Sequence, residues 1–172
     1  MELLRRVPRD TRLPTLVVDG VMRALVGAAA APWPERTEAA VMALVTGDAA
    51  LLPRPEQSAV LEDAAAGRDT VVGFSTGAGK SLCFLYGGLR RRGGLTLVIG
   101  PLVATNAELV AKLNRRAREH EGGGLAGPIA DALGGAAVAD PADALRLALR
   151  GDLEVLVCTP CLLYTSPSPR DS

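Results

Sequence analysis

The stretch Thr70-Val71-Val72-Gly73-Phe74-Ser75-Thr76-Gly77-Ala78-Gly79-Lys80-Ser81-Leu82 constrains the fold more than any other part of the chain. Residues 70–74 are short, apolar and β-branched, the pattern of a buried parallel strand. The residues from Lys80 to Arg91 carry helical spacing, so the glycines fall in a strand-to-helix turn. Such a turn is an anion site, because the first N–H groups of a helix have no acceptor within it. Their dipole favours negative charge by about 0.3–1 kcal/mol in exposed cases. Gly77 and Gly79 let the backbone take angles and approach distances that a Cβ forbids. Phosphate is the expected occupant, with Ser75, Thr76, Gly77, Ala78, Gly79, Lys80, Ser81 and Leu82 as its candidate ligands. Lys80 can reach β- and γ-phosphates and the Ser81 hydroxyl can ligate Mg²⁺. The strict pattern G-x-x-x-x-G-K-[ST] asks for glycine at position 74, which holds Phe74, so an ordinary structural turn is the alternative.

The flanking sequence alternates strands and helices. A helix is expected from about Pro34–Glu38 to Gly47, with Ala40, Val41, Leu44 and Val45 on one face. Another runs from Pro55 to Ala66 and stops at Gly67. After the helix from Lys80 to Arg91 come a strand over Leu95–Gly100, a helix over about Ala104–His120 and a Gly-rich loop. A strand around Ile129–Leu133, a helix over Pro141–Arg150 and a strand over Leu153–Cys158 complete the pattern. Strands alternating with helices predict an α/β fold, a parallel sheet with helices on both faces. The expected organisation is a helical region over 1–50, an α/β domain over 51–160 and a tail over 161–172.

The 172 residues are about one domain by length. Acidic and basic residues balance at 19 each, so net charge gives no argument for nucleic acid, although local patches can bind it. Arg5, Arg6, Arg9 and Arg12 lie among Glu2 and Asp10 and read as a solvated face. The apolar run Val21–Ala31 is too short and too charged to span a membrane or serve as a secretory signal, which makes a cytoplasmic protein the default expectation. Lone His120 reads as a helix end, with no metal cluster beside it.

The segment "PRPEQSAVLEDAAAGRD" before the loop resembles the adenine-reading segment of superfamily-two helicases of DEAD/DEAH type, the RecQ-like group above all. The matching residues are Arg54, Pro55, Gln57, Gly67, Arg68 and Asp69. The resemblance implies a RecA-like, P-loop NTPase domain in which Arg54 and Gln57 bind the base of ATP. An amide offers donor and acceptor together, suited to the N6 and N7 edge of adenine. It also implies ATP and Mg²⁺ as cofactors, Lys80 as the catalytic lysine and Ser81 as the magnesium ligand. "LTLVIGPLVATNAELVAKL" is similar to a segment that lies along one nucleic-acid strand in that family. Thr105 and Asn106 are the candidate phosphate contacts there, with Lys112, Arg115 and Arg116 adding charge. Where the family carries Asp-Gln, this chain has Glu108-Leu109. "LEVLVCTP" resembles a later strand of the same domain. The string Cys161–Ser172, "CLLYTSPSPRDS", resembles a translated adapter used in preparing sequencing libraries. On that reading Cys158 and Cys161 are not a functional CxxC pair, although the spacing alone suits one.

The resemblance covers roughly Leu51–Pro160 and implies an ATP-dependent DNA helicase, acting on single-stranded or duplex DNA with RNA as a further possibility. Family hydrolysis needs a later Asp-Glu pair and arginine fingers, neither of which this chain supplies, so little or no turnover is expected of this polypeptide. A P-loop phosphotransferase and a non-hydrolysing nucleotide- or nucleic-acid-binding module are the alternatives. The first of these gives no role to Arg54-Pro55-x-Gln57.

Overall fold

The computed structural model describes residues 35–91, 94–120, 128–133 and 141–161. The arginines at 5, 6, 9 and 12, the apolar run 21–31, the Gly-rich loop after His120 and the tail from 162 onward lie outside the described residues. The elements are α1 (Glu38–Thr46), α2 (Pro55–Ala65), α3 (Lys80–Arg90), β1 (Thr96–Ile99), α4 (Val103–His120), β2 (Ala130–Leu133), α5 (Pro141–Arg150) and β3 (Val155–Cys158). Each coincides, within a residue or two at its ends, with an element expected from the spacing of apolar residues.

The strands form a parallel sheet in the order β1-β3-β2. Thr96 and Ala130 both stand opposite Val155, and the register continues to Ile99 and Leu133 opposite Cys158. β3 is central and buried at every residue. That explains why "VLVC" shows no alternation: both of its faces are covered. On one face Val155 and Val157 pack with Val41 and Leu44 of α1, Leu85 and Leu89 of α3, and Leu113 and Ala117 of α4. On the other, Leu156 and Cys158 pack with Ala144 and Ala148 of α5. Helices thus cover both faces, as expected of the α/β class.

Two side chains fasten elements that the apolar pattern could not pair. Arg36, just before α1, donates to Leu89 O at 2.9 Å and to both carboxylate oxygens of Glu154, one at 2.8 Å. Both side chains are nine-tenths or more buried, so α1, the end of α3 and the start of β3 meet at one ion pair. Asn114 on α4 accepts from the N–H groups of Ile129 and Ala130 at 2.9 and 3.0 Å and donates to Ala130 O at 2.8 Å. Its amide continues the hydrogen bonding at the start of β2, the backbone groups of which would otherwise be buried unpaired.

One expected element is not formed. Residues 68–75 are irregular where a strand was predicted over 70–74, and Val71 is fully exposed. A strand persists only when neighbours take its backbone groups, and the described sheet ends at β1 and β2 without pairing this segment. The carbonyls of Phe74 and Ser75 accept instead from Lys80 Nζ, at 2.7 and 3.0 Å. Hydrophobic pattern alone cannot supply a partner for a strand.

Candidate functional site

Gly77 and Gly79 take φ of +81° and +77°, the left-handed region, and Gly79 is the residue from which α3 starts. Nothing lies within 4 Å of where a Gly77 Cβ would be, so the loop opens onto free space there. At Gly79 a Cβ would lie 2.5 Å from Gln57 Nε2. Glycine is favoured at Gly79 by its backbone angle, and the mobile end of the Gln57 side chain lies close over it.

Gln57 is buried at the third position of α2. Its Oε1 accepts from Arg54 N at 2.8 Å, the reach-back of a helix-capping side chain, and its Nε2 donates to Ala78 O at 3.0 Å and Gly79 O at 3.3 Å. A residue twenty-odd positions upstream therefore clips the glycine loop to the start of α2. Lys80 closes the loop from the other end through Phe74 O and Ser75 O. Ala78 N donates to Ser75 O at 3.2 Å, and Leu82 N to Gly79 O at 3.1 Å.

Two cavities flank Gln57. The smaller, about 220 Å³, is lined by Arg54, Glu56, Gln57, Phe74, Ser75 and Ala78. The larger, about 470 Å³, has Gly77, Gly79 and Ser81 on one wall with Arg54 and Gln57, and Leu51, Leu52 and Lys112 among its other lining residues. The larger is within the range for small-ligand clefts and the smaller falls below it. Of the residues predicted for this site, Arg54, Gln57, Ser75, Gly77, Ala78, Gly79 and Ser81 meet at these walls, together with Leu82, which is buried beneath the larger one. Thr76 is exposed at the tip of the loop. The first N–H groups of a helix have no acceptor within it, and the open space beside Gly77 at the start of α3 fits a phosphate. A hydroxyl in the second position of α3, Ser81, fits a magnesium ion held beside that phosphate.

Thr105 and Asn106 lie in the first turn of α4, and they differ. Thr105 is exposed, whereas Asn106 is buried and donates to Gly100 O at 3.0 Å. A Cβ on Gly100 would lie 2.0 Å from Asn106 Oδ1, so the pair packs the end of β1 against α4. Arg116 also turns inward. Its guanidinium donates to Leu44 O, Val45 O and, at 2.7 Å, Thr46 O, capping the last carbonyls of α1. Burial, and then the charge of Arg115, lower its pKa from the ordinary value. Arg115 and Lys112 remain partly exposed, in i,i+4 pairs with Glu119 and Glu108 at 3.8 and 3.7 Å.

Cys158 is buried on β3 and Cys161 is exposed beyond it, both unbridged. Burial raises the Cys158 thiol, and the Cys83 thiol likewise. Among the described residues no group of three or more His, Cys, Asp or Glu is placed to hold a metal, and no helix is long and apolar enough to cross a membrane.

The spatial role of Lys112 could not be read from the sequence, since it lies some thirty residues beyond the loop it faces. The Arg36–Glu154 pair was equally hidden: 118 positions separate the partners.

The sequence is also similar to known proteins. A protein of Caenorhabditis briggsae named "Putative ATP-dependent DNA helicase Q1" is 42% identical over 62 residues, 36% of this chain and 10% of that protein. The chain therefore spans about a tenth of that relative's length. No solved structure matches it. The DEAD/DEAH box helicase family matches residues 54–167, which begins at Arg54 beside the glycine loop and takes in more than half of the 172 residues. The chain belongs to the DEAD/DEAH box helicase family.

Proposed function

We propose that this chain supplies the ATP-binding part of a RecQ-like DNA helicase, whose full machinery couples ATP hydrolysis to movement along a nucleic-acid strand. The observation that carries this reading is the junction of two motifs: Gln57 of α2 is hydrogen-bonded to the carbonyls of Ala78 and Gly79 in the glycine loop. The phosphotransferase alternative gives no role to the segment Arg54-Pro55-x-Gln57. In the helicase reading the same amide, placed beside the loop, holds the adenine edge.

In this reading the amides from Ser75 to Leu82 hold the phosphates, and Lys80 exchanges the carbonyls of Phe74 and Ser75 for phosphate oxygens. Gln57 exchanges its loop carbonyls for the adenine edge, and Arg54 packs beside the base. Ser81 holds Mg²⁺, which when bound neutralises charge on the β- and γ-phosphates. The exposed Thr105, at the start of α4, donates to a phosphate of single-stranded DNA. Asn106 would have to leave Gly100 to do so, and it serves better as the support of that turn. ATP binding is the activity to test first, since every residue this reading assigns to the nucleotide lies in or beside the glycine loop.

Lys80→Ala should lower ATP affinity at least tenfold by isothermal titration. Gln57→Ala should lose preference for ATP over GTP while still binding triphosphate. Equal ATP affinity in the Lys80→Ala chain would refute the phosphate-loop reading, and binding that never distinguishes adenine from guanine would favour a phosphotransferase.

A further inference from the structure

The larger cavity beside the glycine loop has an uneven charge. Its wall carries two cations, Arg54 and Lys112, and no carboxylate. The smaller cavity has Arg54 balanced by Glu56. Lys112 arrives from α4, far away in sequence, and its Glu108 partner stands 3.7 Å off with 73% of its side chain exposed. Such a solvated i,i+4 pair is weak, so little opposes a turn of the ammonium toward an anion in the cavity. Meanwhile Lys80, the loop's own cation, is engaged with the carbonyls of Phe74 and Ser75. A polyphosphate lying over Gly77 and Gly79 therefore has the Lys112 ammonium on the lining of the same cavity, while Lys80 is held by the carbonyls of its own loop.

We infer that Lys112 is a second phosphate-binding cation of this site, acting from α4 on the distal phosphates of a nucleoside triphosphate. This assignment rests on the phosphate-loop reading above and deepens it. It also gives α4 two duties, since Thr105 lies seven residues before Lys112 and so on the same helical face, where the proposed nucleic-acid contact falls. An ammonium shared by the two ligand surfaces would couple triphosphate occupancy to the face of α4 that meets the strand.

The test uses the full chain and titrates ATP, AMP and inorganic tripolyphosphate against the parent, Lys112→Gln and Lys112→Arg. Lys112→Gln is expected to weaken ATP and tripolyphosphate about fivefold and AMP less than twofold, with Lys112→Arg restoring most of the loss. The salt dependence of ATP binding should also become shallower in Lys112→Gln. Undiminished ATP and tripolyphosphate binding in Lys112→Gln would overturn the assignment, as would an equal loss for AMP, which marks general damage to the site. Lys80→Ala separates the two levels: if it alone abolishes ATP binding, only the Lys112 assignment fails, and if it too binds normally, the phosphate-loop reading fails and takes this one with it.

Discussion

At Gly88 in α3, a Cβ would lie 1.5 Å from Thr96 Oγ1 and 2.9 Å from Thr96 Cβ. Rotation of the hydroxyl relieves the first contact but not the second, so α3 and β1 can approach this closely only with glycine. Alanine at an interior helix position gains about 0.5–1 kcal/mol in propensity, whereas overpacking costs about 1–3 kcal/mol. Gly88→Ala is therefore expected to lower stability by about 1–2 kcal/mol, measured by urea denaturation, and an unchanged midpoint would show that α3 can shift outward freely. The same logic applies to the two glycines before Lys80. Gly77 faces open space and Gly79 meets only the flexible end of Gln57, so both are held by their backbone angle, whereas Gly88 is held by packing. Sequence reading singled out both through the spacing to Lys80. It gave no hint of Gly88, because a close helix-to-strand approach leaves no local signature.

Among the elements, α1 is joined to the rest by polar as well as apolar contacts. Arg36 and Glu154 form a buried pair at its entry, and Arg116 takes the carbonyls at its exit. Removing one member of a buried pair strands the other charge, at a cost of about 3–5 kcal/mol, while replacing both with apolar residues of similar volume is nearly neutral. Arg36→Met and Glu154→Leu should each shift the unfolding midpoint strongly, and the double substitution should recover most of the loss. Additive losses would mean that the two side chains do not interact. The helices themselves were legible in advance, since Pro55 opens α2, Gly47 follows α1 and Gly67 follows α2. What joins them was not, because an arginine that caps a distant helix looks in sequence like any surface charge.

Across the whole molecule, protection is expected to follow the sheet. β3 is buried on both faces and paired on both edges, so its amides should exchange with solvent slowest in a hydrogen-exchange experiment. Among the described residues, 70–74 have no sheet neighbour and should exchange within the dead time, and slow exchange there would reveal a strand partner in solution. Addition of ATP should slow exchange in the loop from Ser75 to Ser81, where Gln57 and Lys80 are hydrogen-bonded to loop carbonyls. The amino-acid order by itself determined the alternation of helices and strands, the parallel class of the sheet and the spacing Gly77-x-Gly79-Lys80-Ser81, since each depends on periodicity or on residues close along the chain. Only the tertiary structure decided that residues 70–74 stay unpaired, that Gln57 clips the loop, that Asn106 and Arg116 face inward and that Lys112 reaches the cavity. Each of those depends on which distant group stands opposite, and distance along the chain carries no record of it.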